Sequence, residues 1–471
     1  MPDPTGGSRH GLPVRGEALT TASPLFQGRF GRMFRALAPF LPGEPALKSL
    51  AATMVETAGG PAGQNPDMPA GYTYLGQFID HDITFDPASS LQRQNDPDAL
   101  TDFRTPRYDL DSLYGRGPAD DPFMYDHQTG APRLNGTVFL IGRDVTNGRD
   151  LQRNEEGRAL IGDPRNDENL IVSQLHSLFQ RFHNRVAHRV ADTTTLKGQA
   201  LFEEAQRLVR WHYQWVVVHD FLRRIVGTQL VTSLLPAGST APGLRSRLNF
   251  FHWENQPFMP IEFSAAAYRF GHSMIRFQYK INDPVGVVPI FSSSTDPLAN
   301  LNGFRPLPEQ WGFDWRNFFE TGPGDPQLAR LIDTKLAEPL KTLPASVADA
   351  PRALAVRNLL RGRAMGLPSG QAVANRMGAS PLTDAQLGIT GVSAEFAGHA
   401  PLWFYVLKEA ERGGGRKLGP VGGRIVAEVL LGLLAGDPKS YLREHPNFKP
   451  QPPFARQGRF AMPELIKFTL G

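Results

Sequence analysis

The stretch from Gly71 to Asp86, GYTYLGQFIDHDITFD, places four polar side chains among apolar residues. On a helix, Gln77 and His81 lie one turn apart on the same face. Asp80 and Asp82 point to either side of that face, because each residue turns by about 100°. The stretch therefore predicts a helix that offers an imidazole and an amide to one site and a carboxylate to each of two flanking sites. The alternative is a polar helix end with a capping aspartate.

Composition narrows the class of protein. The chain has 471 residues, 41% hydrophobic and 20% charged, which predicts a folded protein with a large core. The formal net charge of +4 is small for this length and argues against binding nucleic acid through a basic surface. Cysteine is absent, which excludes disulfides, thiolate metal ligands and cysteine nucleophiles.

The two ends of the chain differ in character from its middle. Residues 1–23 are rich in Gly, Pro, Ser and Thr and predict a flexible arm ahead of a body that spans residues 24–471. The arm has no apolar run of a secretory signal, and Ile425–Ala435 is too short to cross a bilayer. We therefore expect a soluble protein without a transmembrane segment, cytoplasmic or secreted without an N-terminal signal. The basic, aromatic segment Phe26–Leu41 is expected to pack on the body, with a membrane surface as the alternative.

Helical patterns dominate the chain, so we expect a mainly α fold. In the longest predicted helix, apolar residues recur at spacings of three and four. Three histidines on that helix, His176, His183 and His188, receive no chemical role. Residues 86–121 predict a long irregular loop. The helices predicted after the loop cover Asp163–Val190, Leu201–Val226, Ser264–Tyr279, Ala353–Met365, Pro401–Ala410 and Val421–Ala435.

Within the loop, Thr105, Arg107, Asp109 and Asp111 occupy alternate positions. Alternate residues of an extended segment face the same way. Threonine and aspartate side chains and backbone carbonyls are the hard oxygen ligands that calcium prefers. The alternative is a solvated acidic loop, since no EF-hand pattern is present.

Two further features point to a site between helices. His272 follows Gly271 on a second helix, and Arg165 and Glu168 lie on the first turn of a third. A tetrahedral zinc site is poorly supported without sulfur ligands or clustered histidines. A haem site needs an axial histidine, small residues beneath the ring and a polar distal pocket.

Three segments in this order, GQFIDHDITF, PRNDENLIVSQLHSLFQRFHNRVA and YRFGHSM, resemble the animal-type haem peroxidases of the peroxidase–cyclooxygenase superfamily, in its bacterial branch. The resemblance runs from about residue 45 to about residue 465. It implies a single large helical catalytic domain with haem b between distal and proximal helices. It also implies a haem peroxidase that reduces hydrogen peroxide and oxidises a small organic or halide-type donor through high-valent iron.

The resemblance assigns roles to individual residues. His81 matches the distal acid–base histidine, Gln77 the amide that holds water or halide over the iron, and Arg165 the distal arginine. His272 matches the proximal iron ligand, and Asn358 the residue that accepts a hydrogen bond from its imidazole.

The remaining implied roles concern the cofactors. Asp80 and Glu168 match carboxylates that form ester links to haem methyls, and Arg269 is expected to contact the haem. The family's calcium site maps onto Asp82, Thr105, Arg107 through its carbonyl, Asp109 and Asp111. Asp111 stands where vertebrate members usually have serine, and Ala364-Met365 stands where the family has Asp-His.

Other functions stay open at this point. Fatty-acid dioxygenases of the same superfamily carry a radical-forming tyrosine three residues before the proximal histidine, where this chain has Arg269. Tyr268 is one residue away, and a helix turn is expected to direct it elsewhere. A non-catalytic haem-binding or adhesion protein is an alternative from another class. The sequence does not reveal the reducing substrate or the oligomeric state.

Overall fold

The structure is a computed structural model that describes residues 28–471 except 57–62, 86–100, 103, 147, 293, 295 and 346. The described part is mainly helical, which confirms the predicted fold class. The arm predicted for residues 1–23 lies outside the described residues, as does most of the first half of the predicted 86–121 loop. From residue 104 to 121 the chain is irregular apart from one short helix.

The helices of the first half range from four to 24 residues in length. They are α1 (Glu44–Ala52), α2 (Gly71–Ile83), α3 (Asp111–Tyr114), α4 (Leu170–Thr193), α5 (Gly198–Val216), α6 (Leu222–Val226), α7 (Thr228–Leu234) and α8 (Ala241–Arg245). The second half contributes α9 (Ile261–Ser264), α10 (Leu354–Ala364), α11 (Gly370–Arg376), α12 (Asp384–Leu387), α13 (Leu402–Arg412), α14 (Pro420–Gly436), α15 (Tyr441–Glu444) and α16 (Met462–Leu470).

Strands are short, from two to six residues. They are β1 (Gly28–Gly31), β2 (Gln64–Pro69), β3 (Thr101–Asp102), β4 (Tyr125–Asp126), β5 (Val138–Phe139), β6 (Asp144–Val145), β7 (Gly148–Arg149), β8 (Met259–Pro260), β9 (Gln278–Asn282), β10 (Gly286–Pro289) and β11 (Leu328–Arg330). The largest sheet has the order β3-β1-β8, with β1 antiparallel to β3 and parallel to β8. Two-stranded pairings account for the other strands.

Helix α2 is confirmed where the sequence predicts it. Its first residue is Gly71, where a side chain has no room because a Cβ would lie 2.4 Å from the Phe319 ring. On its buried face, Phe78 stacks on Phe179 of α4 with ring centroids 4.7 Å apart. Tyr213 of α5 meets both rings edge-on. Three aromatic rings, Phe78, Phe179 and Tyr213, thus help to fix α2 against the two longest helices. The same contacts hold the polar residues that follow Phe78 in place.

The helix predicted from Asp163 to Val190 is two elements in the structure. Asp163 caps a 3-10 turn, Pro164–Asp167, by accepting a hydrogen bond from the N–H of Arg165 at 2.9 Å. The chain is then extended at Asn169, whose side chain caps α4 by accepting from the N–H of Val172 at 3.0 Å. Two successive caps interrupt the helix, because each offers the backbone donors an alternative partner. The break turns the 164–169 segment toward α2.

The helix predicted over Ser264–Tyr279 is wrong. Ser264 ends the short helix α9 instead of starting a helix, and the following residues form a 3-10 segment, Ala267–Met274. Gln278–Asn282 is strand β9, paired with β10. Propensity over this window does not distinguish one long helix from two short ones, since packing decides between them.

The other predicted helices are confirmed with small shifts of their ends. A π-helical turn, Val217–Phe221, joins α5 to α6, and together they cover Leu201–Val226. The predictions Ala353–Met365, Pro401–Ala410 and Val421–Ala435 correspond to α10, α13 and α14.

The apolar segment near the C-terminus is the buried helix α14. Its one acidic residue, Glu428, is fully buried and accepts hydrogen bonds from the backbone N–H groups of Asn249, Phe250 and Phe251. Arg424 donates to the same carboxylate at 2.6 Å. Glu428 therefore anchors a neighbouring loop to the core. Among the described helices, none combines the length and apolarity needed to cross a membrane.

The segment after residue 27 packs on the body, as predicted for Phe26–Leu41. Phe30 and Phe34 are buried in the core. Glu262 accepts hydrogen bonds from the N–H groups of Met33 and Phe34, both at 3.0 Å.

Candidate active site

A cavity of about 290 Å³ lies between α2, the 164–169 segment and the 3-10 segment Ala267–Met274. A single water needs roughly 10–15 Å³ on such a measure, so the cavity accommodates a far larger group. Eight residues that the sequence analysis singled out line it: Gln77, Asp80, His81, Glu168, Arg269, Gly271, His272 and Tyr268. The three segments that carry the resemblance therefore meet at one place.

His81 lies on the α2 wall and is 5% exposed. Its Nδ1 is 2.8 Å from the side-chain oxygen of Asn166, outside the cavity lining. Its Nε2 is 3.7 Å from Oε1 of Glu168, a lining residue. The ring is thus fixed at one nitrogen by the protein, while the other nitrogen is on the side of the cavity-lining carboxylate.

The amide of Gln77 is held by two partners from the 164–169 segment. Its Nε2 donates to Oε1 of Glu168, and its Oε1 accepts from Nδ2 of Asn169 at 3.1 Å. Burial raises the pKa of the Glu168 carboxyl, against the opposing effect of His81 and Arg165. Asp80 also lines the cavity, and its Oδ1 accepts from the Thr84 hydroxyl at 3.1 Å. Two carboxyl groups, Asp80 and Glu168, are therefore available at the cavity wall.

Arg165 does not line the cavity, in contrast to the role expected for it. Its guanidinium binds the buried carboxylate of Asp163, with Nη2 to Oδ2 at 2.7 Å. The same nitrogen donates to the backbone carbonyls of His81 at 3.0 Å and Thr84 at 2.7 Å. Burial alone raises the pKa of Asp163, but Arg165 and Arg104 outweigh it and hold that pKa below its usual value. Arg165 thus ties the end of α2 to the 164–169 turn.

The proximal wall contains His272 in the 3-10 segment. Burial, with a smaller effect of Arg269, lowers the pKa of His272 to about 3, so the imidazole is neutral and able to bind a metal. A Cβ added at Gly271 would meet no atom within 4 Å, so the backbone beside His272 borders open space. A neutral imidazole at the wall of this cavity fits a haem, which needs one axial ligand and room for a flat ring.

The Asn358 side chain contacts His272, but its amide has the opposite orientation to the expected one. Its Nδ2 is 2.8 Å from Nδ1 of His272, while its Oδ1 accepts from Nη1 of Arg269 at 3.3 Å. In this arrangement Nδ1 is the acceptor, since an amide nitrogen only donates. The expected hydrogen bond from the imidazole to the amide oxygen requires the amide to turn by half a revolution. Arg269 favours the observed orientation by binding the oxygen.

Three carboxylates form a cluster behind α2. One oxygen each from Asp82, Asp109 and Asp111 lies within 4.8 Å of the others. Asp82 is fully buried, and both of its carboxylate oxygens lack a hydrogen bond among the described residues. Burial, and then the charges of Asp109 and Asp111, raise its pKa well above the usual value. Uncompensated buried carboxylates are costly, so this donor set fits a hard divalent cation such as calcium.

The other two residues of the expected calcium site lie next to this cluster. The Thr105 hydroxyl donates to Oδ2 of Asp109 at 2.7 Å, and the N–H of Arg107 donates to the Thr105 carbonyl. Arg104, which the sequence analysis did not single out, places Nη1 3.6 Å from Asp111 and Nη2 2.6 Å from Asp163. Arg104 therefore connects the cluster to the segment that carries Arg165.

The structure also adds Asn166 and His176 to the surroundings of the site. Asn166 is fully buried and lies between His81 and His176, with Nδ2 3.0 Å from Nδ1 of His176. No spacing in the sequence indicates these contacts, because the break before α4 determines the direction of Asn166.

Tyr268 lines the cavity, contrary to the expectation that it is directed elsewhere. Its hydroxyl donates to the carbonyl of Gly76 at 3.2 Å, and its ring stacks on Phe263 with centroids 4.6 Å apart. The segment is a 3-10 helix, with three residues per turn, which changes the direction of each side chain relative to an α-helix.

Comparison with known proteins agrees with this geometry. A sequence profile described as animal haem peroxidase matches residues 94–387, more than half of the chain. The chain therefore belongs to the animal haem peroxidase family, whose cofactor is haem.

Individual relatives support the same family. The chain is 26% identical over 261 residues to a chorion peroxidase of Drosophila melanogaster, covering 51% of this chain and 30% of the relative. It is 28% identical over 366 residues to a peroxidase-like protein of Margaritifera margaritifera, covering 63% and 44%. The chain thus spans less than half the length of these curated relatives.

Solved structures show the same fold. Peroxidase A from Dictyostelium discoideum superposes with a TM-score of 0.57 at 15% identity, covering 89% of both chains. A fatty acid alpha-dioxygenase from Oryza sativa superposes with a TM-score of 0.57 at 16% identity, covering 85% of this chain and 76% of the other. Both belong to the mainly helical architecture described above.

Proposed function

We propose that this chain is a haem peroxidase that reduces hydrogen peroxide and oxidises a small organic or halide-type donor. The observation that carries the proposal is one cavity with His81 on one wall and a neutral His272 on another. Residues 24–471 would form one catalytic domain. No nucleic acid is needed as a partner.

Haem, when bound in the cavity, supplies an iron atom that binds the peroxide and takes up its oxidising equivalents. His272 would hold the iron through Nε2, because Nδ1 faces the Asn358 amide. A ligating His272 carries its hydrogen on Nδ1, so the amide oxygen would turn toward it, and Arg269 would release that oxygen. Such a hydrogen bond makes an imidazole a stronger donor to its metal.

His81 would move the proton that the reaction requires. Its Nε2 would accept a proton from one oxygen of the peroxide and would return this proton to the other oxygen, which departs as water. Gln77, held by Glu168 and Asn169, would orient the peroxide or a water beside His81. Arg165 would act indirectly, since it keeps the end of α2 in place through the carbonyls of His81 and Thr84.

Two finer features belong to the same proposal. Asp80 and Glu168 both line the cavity, so ester links to haem methyls would form at these carboxyls. The test is extraction of the haem with acidified butanone after peroxide turnover, followed by mass spectrometry of the protein. Haem that always extracts freely would rule out the ester links.

Calcium at Asp82, Thr105, Arg107, Asp109 and Asp111 would stabilise the helix that carries His81.

A dioxygenase is the second candidate, because Tyr268 is buried at the cavity wall. The fatty acid alpha-dioxygenases found among the structural neighbours have the same fold. Against this candidate, the Tyr268 hydroxyl is engaged by the Gly76 carbonyl and its pKa is raised well above the usual value by burial.

One experiment separates the two functions. The haem-loaded protein is mixed with hydrogen peroxide and a phenol, and separately with oxygen and a polyunsaturated fatty acid. We expect oxidation of the phenol that depends on peroxide and on His81, with little oxygen uptake. Rapid oxygen uptake that is lost in Tyr268→Phe, with no oxidation of any peroxidase donor, would replace the proposal by the dioxygenase.

A further inference from the structure

We infer that Asn166 and His176 are positioning residues that hold His81 with its hydrogen on Nδ1 and thereby keep Nε2 as the proton acceptor in the cavity. The inference rests on the proposed function, in which His81 moves a proton. It concerns residues to which neither the resemblance nor the sequence pattern assigns a role.

The three side chains form a continuous buried chain of hydrogen bonds. The Asn166 oxygen is 2.8 Å from Nδ1 of His81, and the Asn166 nitrogen is 3.0 Å from Nδ1 of His176. His81 is 5% exposed, and the other two residues are fully buried. No water competes at a fully buried amide, so its two ends determine which imidazole nitrogen carries hydrogen.

The orientation of the amide has a direct chemical consequence. An amide oxygen only accepts, so a neutral His81 facing it donates from Nδ1 and has its lone pair on Nε2. If the amide turned over, its nitrogen would donate to Nδ1, and His81 would carry its hydrogen on Nε2. In that form the nitrogen on the cavity side could not accept a proton from the peroxide.

The His176 ring is in a form that permits the first orientation. Burial lowers the pKa of His176 to about 3, so the ring is neutral. A cationic imidazole would donate from both nitrogens and attract the amide oxygen to itself. A neutral ring with its hydrogen on Nε2 accepts from the Asn166 nitrogen, and the position of that nitrogen, 3.0 Å from Nδ1 of His176, matches this form.

The backbone around Asn166 is fixed by contacts other than its side-chain hydrogen bonds to His81 and His176. The N–H of Asn166 donates to the Asp163 carbonyl at 3.0 Å. The next residue, Asp167, forms a bidentate ion pair with Arg153, whose Nη1 and Nη2 lie 2.7 and 2.8 Å from the two carboxylate oxygens. Arg165 ties the same turn to the end of α2. The amide is therefore carried by a rigid turn, so its loss removes a contact that the neighbours do not replace.

Substitutions separate positioning from packing. Asn166→Leu removes the acceptor, whereas Asn166→Asp keeps an acceptor oxygen at the same place and is the conservative rescue. His176→Phe removes the partner that directs the amide. His183→Phe is the matched control: His183 is also a fully buried histidine of α4, but it pairs with Tyr114 and the Thr137 carbonyl, away from the cavity.

The direct test is the ¹⁵N chemical shift of the His81 ring. The full chain, labelled at histidine, is loaded with diamagnetic zinc protoporphyrin, and His81→Gln assigns the signals. We expect a protonated Nδ1 and an unprotonated Nε2 in the native chain, in Asn166→Asp and in His183→Phe. In Asn166→Leu and His176→Phe the hydrogen should shift to Nε2. A native His81 protonated at Nε2, or a ring unchanged in Asn166→Leu, would overturn the inference.

The kinetic arm uses the haem-loaded protein. General acid–base catalysis typically contributes about 10²–10⁴-fold to a rate, and loss of the accepting form of His81 removes this contribution. We therefore expect Asn166→Leu to slow the reaction with peroxide by about this factor, with Asn166→Asp retaining most of the rate. Asn166→Asp slowed as much as Asn166→Leu while keeping the Nδ1 hydrogen would overturn the positioning role. A native chain that does not react with peroxide would contradict the proposed function, whereas the ring signals would still decide the tautomer.

Discussion

Replacing Asp82 by asparagine tests the cation site in the calcium-free and the calcium-loaded protein at once. The cluster holds three carboxylate oxygens within 4.8 Å of one another. Two unit charges at that separation repel by about 3.5 kcal/mol at an effective dielectric constant of about 20. Without a cation, part of this repulsion and the burial of Asp82 reduce the stability of the folded chain.

The variant should therefore have opposite effects in the two states. In chelator, Asp82→Asn should unfold at a higher temperature than the native chain, because a buried charge is removed. Calcium at about a thousand times its dissociation constant should stabilise the native chain by about 4 kcal/mol. In Asp82→Asn this gain should be largely lost, because the remaining acidic ligands are Asp109 and Asp111.

Thermal unfolding followed by circular dichroism, in chelator and in millimolar calcium at one scan rate, measures both effects. Asp144→Asn is the control, since Asp144 is exposed and pairs with Arg149 outside the cluster. The reasoning fails if Asp82→Asn melts below the native chain in chelator, or if it keeps the full calcium response. Elemental analysis of the purified native chain should give about one calcium per molecule.

Three further predictions concern the cavity and the core. His81→Ala should slow the reaction with peroxide by about 10²–10⁴-fold and leave haem binding intact, measured by stopped-flow absorption with His183→Ala as the control. His272→Ala should lose the Soret band of bound haem or give that of loosely held haem, and an unchanged five-coordinate histidine spectrum would contradict its role as ligand. Burial raises the pKa of Glu409 from 4.5 to about 7. Its contribution to stability is therefore full below pH 4.5 and lost as the pH rises to 7, an effect of about 3 kcal/mol. Glu409→Gln should flatten the pH dependence of urea unfolding in this range, and an unchanged slope would refute the shift.

Helices with a regular apolar spacing could be predicted from the chain, because their buried faces repeat with the helix period. Helix α2 and helices α10, α13 and α14 lie where the pattern indicates them. The prediction over Ser264–Tyr279 was wrong, since α9, a 3-10 segment and a strand share one window that reads as helix. There, contacts with the rest of the molecule outweigh local propensity.

The sequence also indicated which segments contribute side chains to the site. Three segments that carry polar groups meet at the cavity, as their helical spacing and the resemblance indicated. Asp109 and Asp111 join Asp82 in one cluster, but the chain bends between Thr105 and Asp109 and Asp111 begins α3, so the extended segment expected there is not formed. The spacing along the loop thus indicated two of the carboxylates, and the resemblance indicated Asp82.

Only the tertiary structure decided the partners of each group. Arg165 binds Asp163 and two carbonyls instead of lining the cavity, Tyr268 lines the cavity although its register suggested otherwise, and Asn166 joins two histidines that lie 95 residues apart in the chain. Such contacts depend on where helices begin and break and on how they pack. Hydrogen bonds and ion pairs are short and directional, so a break of one residue before α4 is enough to change which atoms meet.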